Sequence, residues 1–253
     1  MKLNNLFENE QSSEISIKDV FYEADKVHKD GFKVMSNFSA LAPEGNPLNE
    51  WDKDLTLSDL PLTSLDGFPK KVNGRITLER LMSLTSLKGI GESSEISLAA
   101  LKIKNFEGIQ SPRWLSVGHC KLESLVGLPR NLQMFYMSHC VLDSFEGFPE
   151  FVTNFKMSGK MYGGKQITFS KINEYIRAAG ELEFDDIDVD ENCGVLGFLK
   201  IKQLSKVNFR PSFGKHESLV EAIKIVNKYL PEGDIMDCQD ELIDTGLSKH
   251  AKV

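Results

Sequence analysis

The chain lacks a long uninterrupted apolar stretch, and it lacks an excess of positive charge. No segment approaches the about eighteen apolar residues that a helix needs to span a bilayer. The 253 residues include 30 basic and 37 acidic side chains, which give a formal net charge of −7. Because phosphate binding needs clustered positive charge, this balance argues against a nucleic-acid partner. We therefore expect neither a membrane span nor a nucleic-acid footprint.

Cysteine is also scarce. The four cysteines form no CxxC pair, and they are Cys120, Cys140, Cys193 and Cys238. The N-terminal stretch MKLNNLFENEQSS lacks the apolar core of a signal peptide. These features predict a cytoplasmic protein whose cysteines are thiols rather than disulfides.

What the chain does have is an internal repeat. The phrase Ser-Leu-x-Gly recurs at residues 64–67, 86–89 and 124–127, with variants at 105–108 and 144–147. Its glycines fall at 67, 89, 108, 127 and 147, in steps of 22, 19, 19 and 20 residues. A fixed period of this length is typical of proteins built from stacked coils.

A second pattern, apolar-x-apolar-x-x-apolar-x-apolar, precedes these glycines. The four regular copies are Leu55, Leu57, Leu60, Leu62; Ile96, Leu98, Leu101, Ile103; Leu115, Val117, Cys120, Leu122; and Phe135, Met137, Cys140, Leu142. A copy from Ile76 contains an insertion, and a sixth begins at Phe155 and Met157. Lys160 occupies an apolar position of that sixth copy, which predicts that the stack ends there. The alternation indicates a short strand with one face inward, followed by a tight turn at each glycine.

These motifs resemble the leucine-rich repeat family, whose core is LxxLxLxxN/CxL, and in particular the short repeat of bacterial effector proteins. The segment from Leu128 to Leu142 contains the Leu-Pro pair of that repeat and follows it almost position by position. The resemblance covers residues 52–160. It implies an α/β fold, a solenoid of about six coils with a parallel sheet, and it implies that the chain binds another protein.

Three domains are expected from this organisation. Residues 1–51 are predicted to form an N-terminal helical cap, with a helix over 16–28 that covers the first coil together with Trp51. Residues 52–164 form the leucine-rich-repeat solenoid, and residues 165–253 a small C-terminal α/β cap domain. The predicted elements of that domain are a helix over 170–179 ended by Gly180, a strand over 182–184, a short helix over 194–201, a strand over 207–209, and helices over 216–230 and 235–247, the last capped by Asp234.

Four motifs invite a chemical interpretation, and a structural one is favoured for each. The segment Gly159–Lys165 has the spacing of a phosphate-binding loop, but Gln166 replaces the hydroxyl that holds magnesium. The acidic run from Asp186 to Asn192 begins like a calcium loop, but Glu191 stands where that loop needs glycine. We expect a glycine-rich exit from the stack and a solvated acidic turn.

The other two motifs contain cysteine. Cys238-Gln239-Asp240 matches the CxD of a ubiquitin-ligase domain that follows the repeats in some bacterial effectors, although that domain is several times longer than the segment present here. The pairs His119-Cys120 and His139-Cys140 lie one repeat apart and suggest zinc. In the repeat register each cysteine points inward and each histidine outward, which predicts buried thiols and no metal. No catalytic residue and no cofactor is expected, and His28, His216 and His250 are expected at the surface.

The predicted binding surface is the concave face of the sheet, formed by side chains that flank the inward strand residues. Its candidate partner-binding residues are Arg75, Arg80, Arg113, Trp114, His119, Met134, Tyr136 and His139. Trp114 and Tyr136 are predicted to be exposed, one position apart in register, with Met134 between them. Clustered exposed aromatic and arginine side chains are typical of contact surfaces.

The sequence therefore favours a non-enzymatic protein-binding module. The C-terminal segment is also loosely similar to the tails of tailed-phage repeat proteins, which implies a host protein, such as a defence component, as the partner and the host cytoplasm as the location. Two alternatives stay open, an enzyme with its activity in the C-terminal domain and a structural or virion-associated protein.

Overall fold

The computed structural model describes residues 50–52, 54–60, 62–159, 169–187 and 189–253. The chain divides into two compact units, the first ending at Pro112 and the second running from Arg113 to Val253. Each unit contains parallel strands stacked as turns of a solenoid, which places the chain in the α/β class as predicted. The predicted helix over 16–28 lies outside the described residues.

The first unit carries the strands of the early repeats. Three of them pair in parallel, so that Leu55, Ile76 and Ile96 lie side by side and are all buried. Trp51 is buried as expected, and it pairs with Val72 in a small parallel ribbon. The strands of this unit are β1 (Glu50–Trp51), β2 (Leu55–Ser58), β3 (Lys71–Val72), β4 (Arg75–Glu79) and β5 (Glu95–Ala99).

Among its described residues, the second unit combines the later repeats with three helices and two 3-10 helices. Its main sheet has the order β6, β8, β10, β11, β12, all parallel. Its elements are β6 (Trp114–Gly118), β7 (Lys121–Leu122), β8 (Asn131–Ser138), β9 (Val141–Leu142), β10 (Phe151–Ser158), α1 (Phe169–Tyr175), β11 (Ala179–Asp185), the 3-10 helix Leu196–Lys200, β12 (Lys206–Arg210), α2 (Glu217–Tyr229), α3 (Ile235–Asp244) and the 3-10 helix Ser248–His250.

The recurring phrase Ser-Leu-x-Gly forms the turn between a strand and its return path. In the copy at 144–147, the Ser144 hydroxyl accepts a hydrogen bond from the Glu146 N–H at 3.1 Å, and the Phe145 carbonyl accepts one from the Phe148 N–H at 3.0 Å. Gly147 has φ +85°, and a Cβ there would lie 2.4 Å from the Val126 nitrogen of the preceding coil. Glycine is therefore required both by the backbone conformation and by the close approach of the two coils.

The predicted inward ladder is buried. Leu115, Phe135 and Phe155 are neighbours in register and almost fully inaccessible, and the rings of Phe135 and Phe155 lie 5.4 Å apart. Cys120 and Cys140 lie at 2% and 0% exposure, which confirms the prediction of a buried thiol ladder. Such close packing of a repeated apolar position is what joins one coil to the next.

The parallel sheet continues where the repeat pattern stops. Leu182 of β11 and Val207 of β12 extend the row of Phe155, although their flanking sequences contain no Ser-Leu-x-Gly. The parallel sheet therefore continues beyond the sixth copy, whereas Lys160 had predicted that the stack ends there. The predicted domain boundary after residue 164 stays a prediction.

Most helices of the C-terminal segment agree with the sequence. The helices α2 and α3 lie where they were predicted, and the Asp234 side chain accepts a hydrogen bond from the Asp237 N–H at 3.0 Å as the cap of α3. The predicted helix over 170–179 is wrong at its end, since α1 stops at Tyr175. Gly180 belongs to β11, where a Cβ would lie 2.5 Å from the Thr153 carbonyl oxygen. This close approach to Thr153 requires a glycine at position 180 of the strand, so Gly180 does not mark the end of a helix.

The outer edge of β12 is closed by a side chain. The amide of Asn227, in α2, accepts a hydrogen bond from the Val207 N–H and donates one to the Val207 carbonyl, both at 2.8 Å. Asn227 thus provides the two bonds that a neighbouring strand would make with Val207, and it fastens α2 to the last strand of the sheet.

His250 is fully buried, which contradicts the prediction of a surface residue. Its Nδ1 lies 2.9 Å from the Cys193 carbonyl oxygen and its Nε2 lies 3.1 Å from the Ser218 hydroxyl. Both ring nitrogens have polar partners, so the ring can be buried without losing hydrogen bonds. Burial lowers the pKa of His250 below its usual range.

Candidate functional site

The outer face of the second unit consists of the side chains that alternate with the buried ladder on β6, β8, β10, β11 and β12. Trp114 lies on this face, is 37% exposed, and has Met134 as its direct register partner. Tyr136 lies opposite Ser116, two residues further along the strands. The structure thus brings Trp114, Met134 and Tyr136 onto one face, but the predicted offset of one position was wrong.

The pairing of the buried ladder sets this offset. Leu115 pairs with Phe135 and Val117 with Met137, so Met134 lies on the outer face beside Trp114. At the start of β8 the N–H groups of Gln133 and Met134 both donate to the carbonyl of Arg113, at 2.9 and 3.1 Å, as in a β-bulge.

Tyr136 is half-buried rather than exposed, because neighbouring strands hold its ring. Its hydroxyl lies 2.7 Å from the Ser158 hydroxyl, and the Lys156 ammonium lies 5.9 Å from the ring centre. Lys156 is also within 3.1 Å of Glu183 and 3.4 Å of Asp185. The Tyr136 side chain is thus fixed in one orientation by a network that crosses three strands.

The same network continues to β12, where Arg210 pairs with Glu183 at 3.0 Å. Sequence reasoning missed Glu183 and Arg210 because both lie beyond the repeat pattern. The only available signal was the alternation at Leu182 and Phe184, which places residue 183 outward. The outer-face side chains of Lys156, Glu183, Asp185 and Arg210 are therefore already paired with one another within the unit.

His119 and His139 follow β6 and β8 and form a stack. Both are exposed and both have left-handed backbone, with φ +52° and +49°. Their ring centres lie 5.0 Å apart with the planes within 10° of parallel. A Cβ on Gly159 would lie 2.6 Å from the Nε2 of His139, so that ring rests directly on the Gly159 backbone. The imidazole edges are presented beside the outer face in a fixed arrangement.

The cysteines next to these histidines point the other way, as the repeat register predicted. The Cys140 thiol lies 3.5 Å from the Val117 carbonyl, and burial raises its pKa to about 12. The thiols and the imidazoles therefore cannot converge on one metal ion. Within the described ranges no group of three or more His, Cys, Asp or Glu side chains is arranged to hold a metal.

Arg75 and Arg80 belong to the first unit, and both are ion-paired. Arg75 donates two hydrogen bonds to Glu95, at 3.0 and 2.8 Å. Arg80 pairs with Asp59 at 2.6 Å and also contacts Glu79. The hydrogen bond from Arg80 lowers the pKa of Asp59 to about 2. These arginines are therefore anchored to adjacent coils, which leaves fewer of their donors for a partner.

The remaining motifs have structural roles as far as they are described. Gly159 supports the His139 ring, and residues 160–165 of the proposed phosphate loop lie outside the described residues. Asp190 accepts a hydrogen bond from the Asn192 N–H at 2.8 Å in a local turn, whereas Asp188 is not described. Cys238 is fully buried, and burial raises its pKa to about 11, so its thiolate is scarce at neutral pH.

One arrangement of chemical interest was not found from the sequence. Ser218 and His250 have the contact of a nucleophile and its base, and the Cys193 carbonyl fixes the ring with its proton on Nδ1. However, the N–H groups of Leu219 and Val220 both donate to the His216 carbonyl at 3.0 Å. The N–H groups of Leu219 and Val220 are thus occupied and are not available as an oxyanion hole beside Ser218.

Compared with family models, with curated proteins and with solved structures, the chain matches none. Across the part of the chain that the structure describes, no helix combines the length and the apolar character that crossing a membrane requires.

Proposed function

We propose that the outer face of the second unit binds a protein partner and that the chain is a leucine-rich-repeat binding module rather than an enzyme. The observation that carries this proposal is Trp114, a large side chain 37% exposed on a strand, with Met134 beside it in register. Tryptophan and tyrosine on a rigid sheet give large contact area with little loss of side-chain freedom on binding.

The preorganisation of the face supports the same proposal. The ring of Tyr136 and the stack of His119 and His139 are held before any partner arrives, so their ordering need not occur on binding. We extend the proposal to a host protein, such as a defence component, as the partner of a phage-encoded chain in the host cytoplasm. This extension rests on the sequence resemblance alone.

A photo-crosslinking experiment tests the binding face. A benzophenone side chain placed at Met134 should capture a discrete protein from cell lysate, and the same group at Lys121 serves as the control because Lys121 is exposed on β7, outside the main sheet. Adding Trp114→Ala and Tyr136→Ala should abolish the crosslink at position 134. Equal capture from position 121, or capture that survives the two substitutions, would show that the interface lies elsewhere.

An enzyme is the second candidate, favoured by the contact between Ser218 and His250. It ranks lower because His250 is fully buried and the N–H groups of Leu219 and Val220 already donate to the His216 carbonyl. A fluorophosphonate probe that reacts with an activated serine should leave the folded protein unlabelled. Rapid labelling that disappears in Ser218→Ala would establish this candidate over the first.

A further inference from the structure

Positive charge collects at the amino ends of the strands in the second unit. Because parallel strands begin at the same edge of a sheet, residues just before or at those ends lie along one side. We name this set the basic rim, and its members are Arg113, Arg130, Arg177, Lys202 and Lys206. Lys202 is tied to this edge because its N–H donates to the Arg177 carbonyl at 3.0 Å.

The basic rim is not neutralised by its surroundings. Among the described residues Arg113, Arg177, Lys202 and Lys206 form no ion pair, and all four are exposed. Arg130 lies 3.6 Å from Glu150, with both side chains more than two-thirds exposed, so that pair is weak. Glu181 is the register partner of Lys206 and is the other carboxylate along this edge.

At the opposite ends of the same strands the charge is mixed. Asp185 ends β11, and Asp186 and Glu191 follow it, both exposed, whereas β12 ends at Arg210. The basic rim is thus a local excess of positive charge in a chain whose net charge is −7. The net charge argued against a nucleic-acid partner, but it does not describe the local charge at this edge.

We propose that the basic rim receives an acidic polypeptide segment of the partner that docks on the outer face. The inference rests on the proposed function, because Arg113 precedes Trp114 and joins the two surfaces. Single-stranded nucleic acid is less well matched, since base stacking needs aromatic side chains among the cations. Trp114, next to Arg113, is the one aromatic residue among the chain neighbours of the basic rim, and the neighbours of the other four cations are not aromatic.

The test uses fluorescence anisotropy with two defined probes, labelled decaglutamate and an oligothymidylate carrying the same number of charges. The proposal expects decaglutamate to bind in about 50 mM salt and to weaken strongly by about 200 mM. The triple variant Arg177→Glu, Lys202→Glu, Lys206→Glu should weaken it at least about tenfold, a change of about 1.4 kcal/mol. The control Lys215→Glu, Lys224→Glu, Lys249→Glu makes the same change in net charge elsewhere in the unit and should bind like the wild type.

Three results would overturn the proposal. These are no decaglutamate binding at low salt, equal loss in the rim and control variants, and tighter binding of oligothymidylate than of decaglutamate. If the rim variant does not fold, as judged by circular dichroism, the corresponding Gln variants give the same comparison without reversing charge. The anisotropy measurement uses probes in place of the partner. A negative anisotropy result therefore does not affect the crosslinking test at Met134, and a negative crosslinking result does not affect the anisotropy measurement.

Discussion

Two stretches of the second unit, residues 113–159 and 169–253, build one parallel sheet by different means. In the first, each strand returns through a turn closed by glycine, as at Gly127 and Gly147. In the second, the chain returns through α1 and a 3-10 helix, yet β11 and β12 keep the register of β10. The repeat phrase is therefore a property of the return turn, whereas the sheet requires only alternate buried side chains.

In the second stretch, an aromatic cluster joins α1 to the sheet. Phe169 of α1 lies within 5.7 Å, between ring centres, of Phe184, Phe198 and Phe209, which come from β11, the 3-10 helix and β12. A helix stands further from the sheet than an extended turn, and large rings fill the added space. Different contacts therefore stabilise the regular and the irregular coils, and substitutions in each should change the unfolding free energy by different amounts.

The largest effect is expected at a repeat glycine. Gly147→Ala introduces a Cβ that would lie 2.4 Å from the Val126 nitrogen at a positive φ, so we expect a loss of at least about 3 kcal/mol in unfolding free energy. Gly233 also has a positive φ, but a Cβ there meets nothing within 4 Å. Gly233→Ala should therefore lose only about 1 kcal/mol. Urea unfolding of both variants gives the comparison, and equal losses would mean that the coils do not approach as closely as described.

In the irregular stretch the largest polar effect is expected at Asn227. Asn227→Ala leaves the buried N–H and carbonyl of Val207 without these partners, and we expect a loss of about 2 kcal/mol. Amide hydrogen exchange at Val207 should accelerate in the same variant. Asn208→Ala changes the same residue type on β12 itself and should stay close to the wild type. A wild-type exchange rate at Val207 in Asn227→Ala would contradict the edge closure.

A pH effect is expected from His250. Because burial lowers its pKa in the folded state, the unfolded chain binds the proton more readily. Its contribution to stability is complete above the usual histidine range of about 6.5 and declines as the pH falls through that range. The unfolding free energy of the wild type should thus fall more steeply between about pH 7.5 and 5.5 than that of His250→Gln. Parallel pH profiles would show that the ring does not titrate as a buried group.

The smallest effects are expected on the outer face. Trp114→Ala should change the unfolding free energy by about 0.5 kcal/mol, as for an exposed side chain. Tyr136→Ala should cost about 1 kcal/mol, because the contact with the Ser158 hydroxyl is lost. Tyr136→Phe removes the hydroxyl contact alone. Melting temperatures of the three variants, measured under the same conditions, rank their stabilities. A Trp114 variant less stable than the Tyr136 variant would mean that Trp114 belongs to the core.

The fold of the repeats was predictable because their periodicity states which side chains are buried and where the chain turns. Beyond Phe155 the sequence no longer repeats. Leu182 and Val207 continue the row of Phe155, but the connections between their strands contain helices and differ in length. The end of α1 was mispredicted for a related reason. Gly180 is selected by its approach to Thr153, a contact between coils that sequence spacing does not contain.

The candidate site was likewise predictable only in part. The alternation of strand residues predicted that Trp114, Met134 and Tyr136 share a face, and the pairing of Leu115 with Phe135 sets their offset. The ion pairs of Arg75 and Arg80 join residues about one repeat apart and depend on the packing of adjacent coils. His250 was placed at the surface because its partners, Cys193 and Ser218, are remote in sequence.

One backbone position, the residue just after the strand, is left-handed in coil after coil and carries unrelated side chains. Its occupants are Asp59, Arg80, Ala100, His119, His139, Gly159 and Asp186. The N–H of His119, like that of His139, donates to the last strand residue of the next coil, so the main chain fixes the position whatever side chain it bears. Glycine would relax this conformation at most of these coils. Within each unit, a substitution at this position has to fit both the positive φ and contacts such as that between Gly159 and the His139 ring, so the backbone limits which side chains can be displayed.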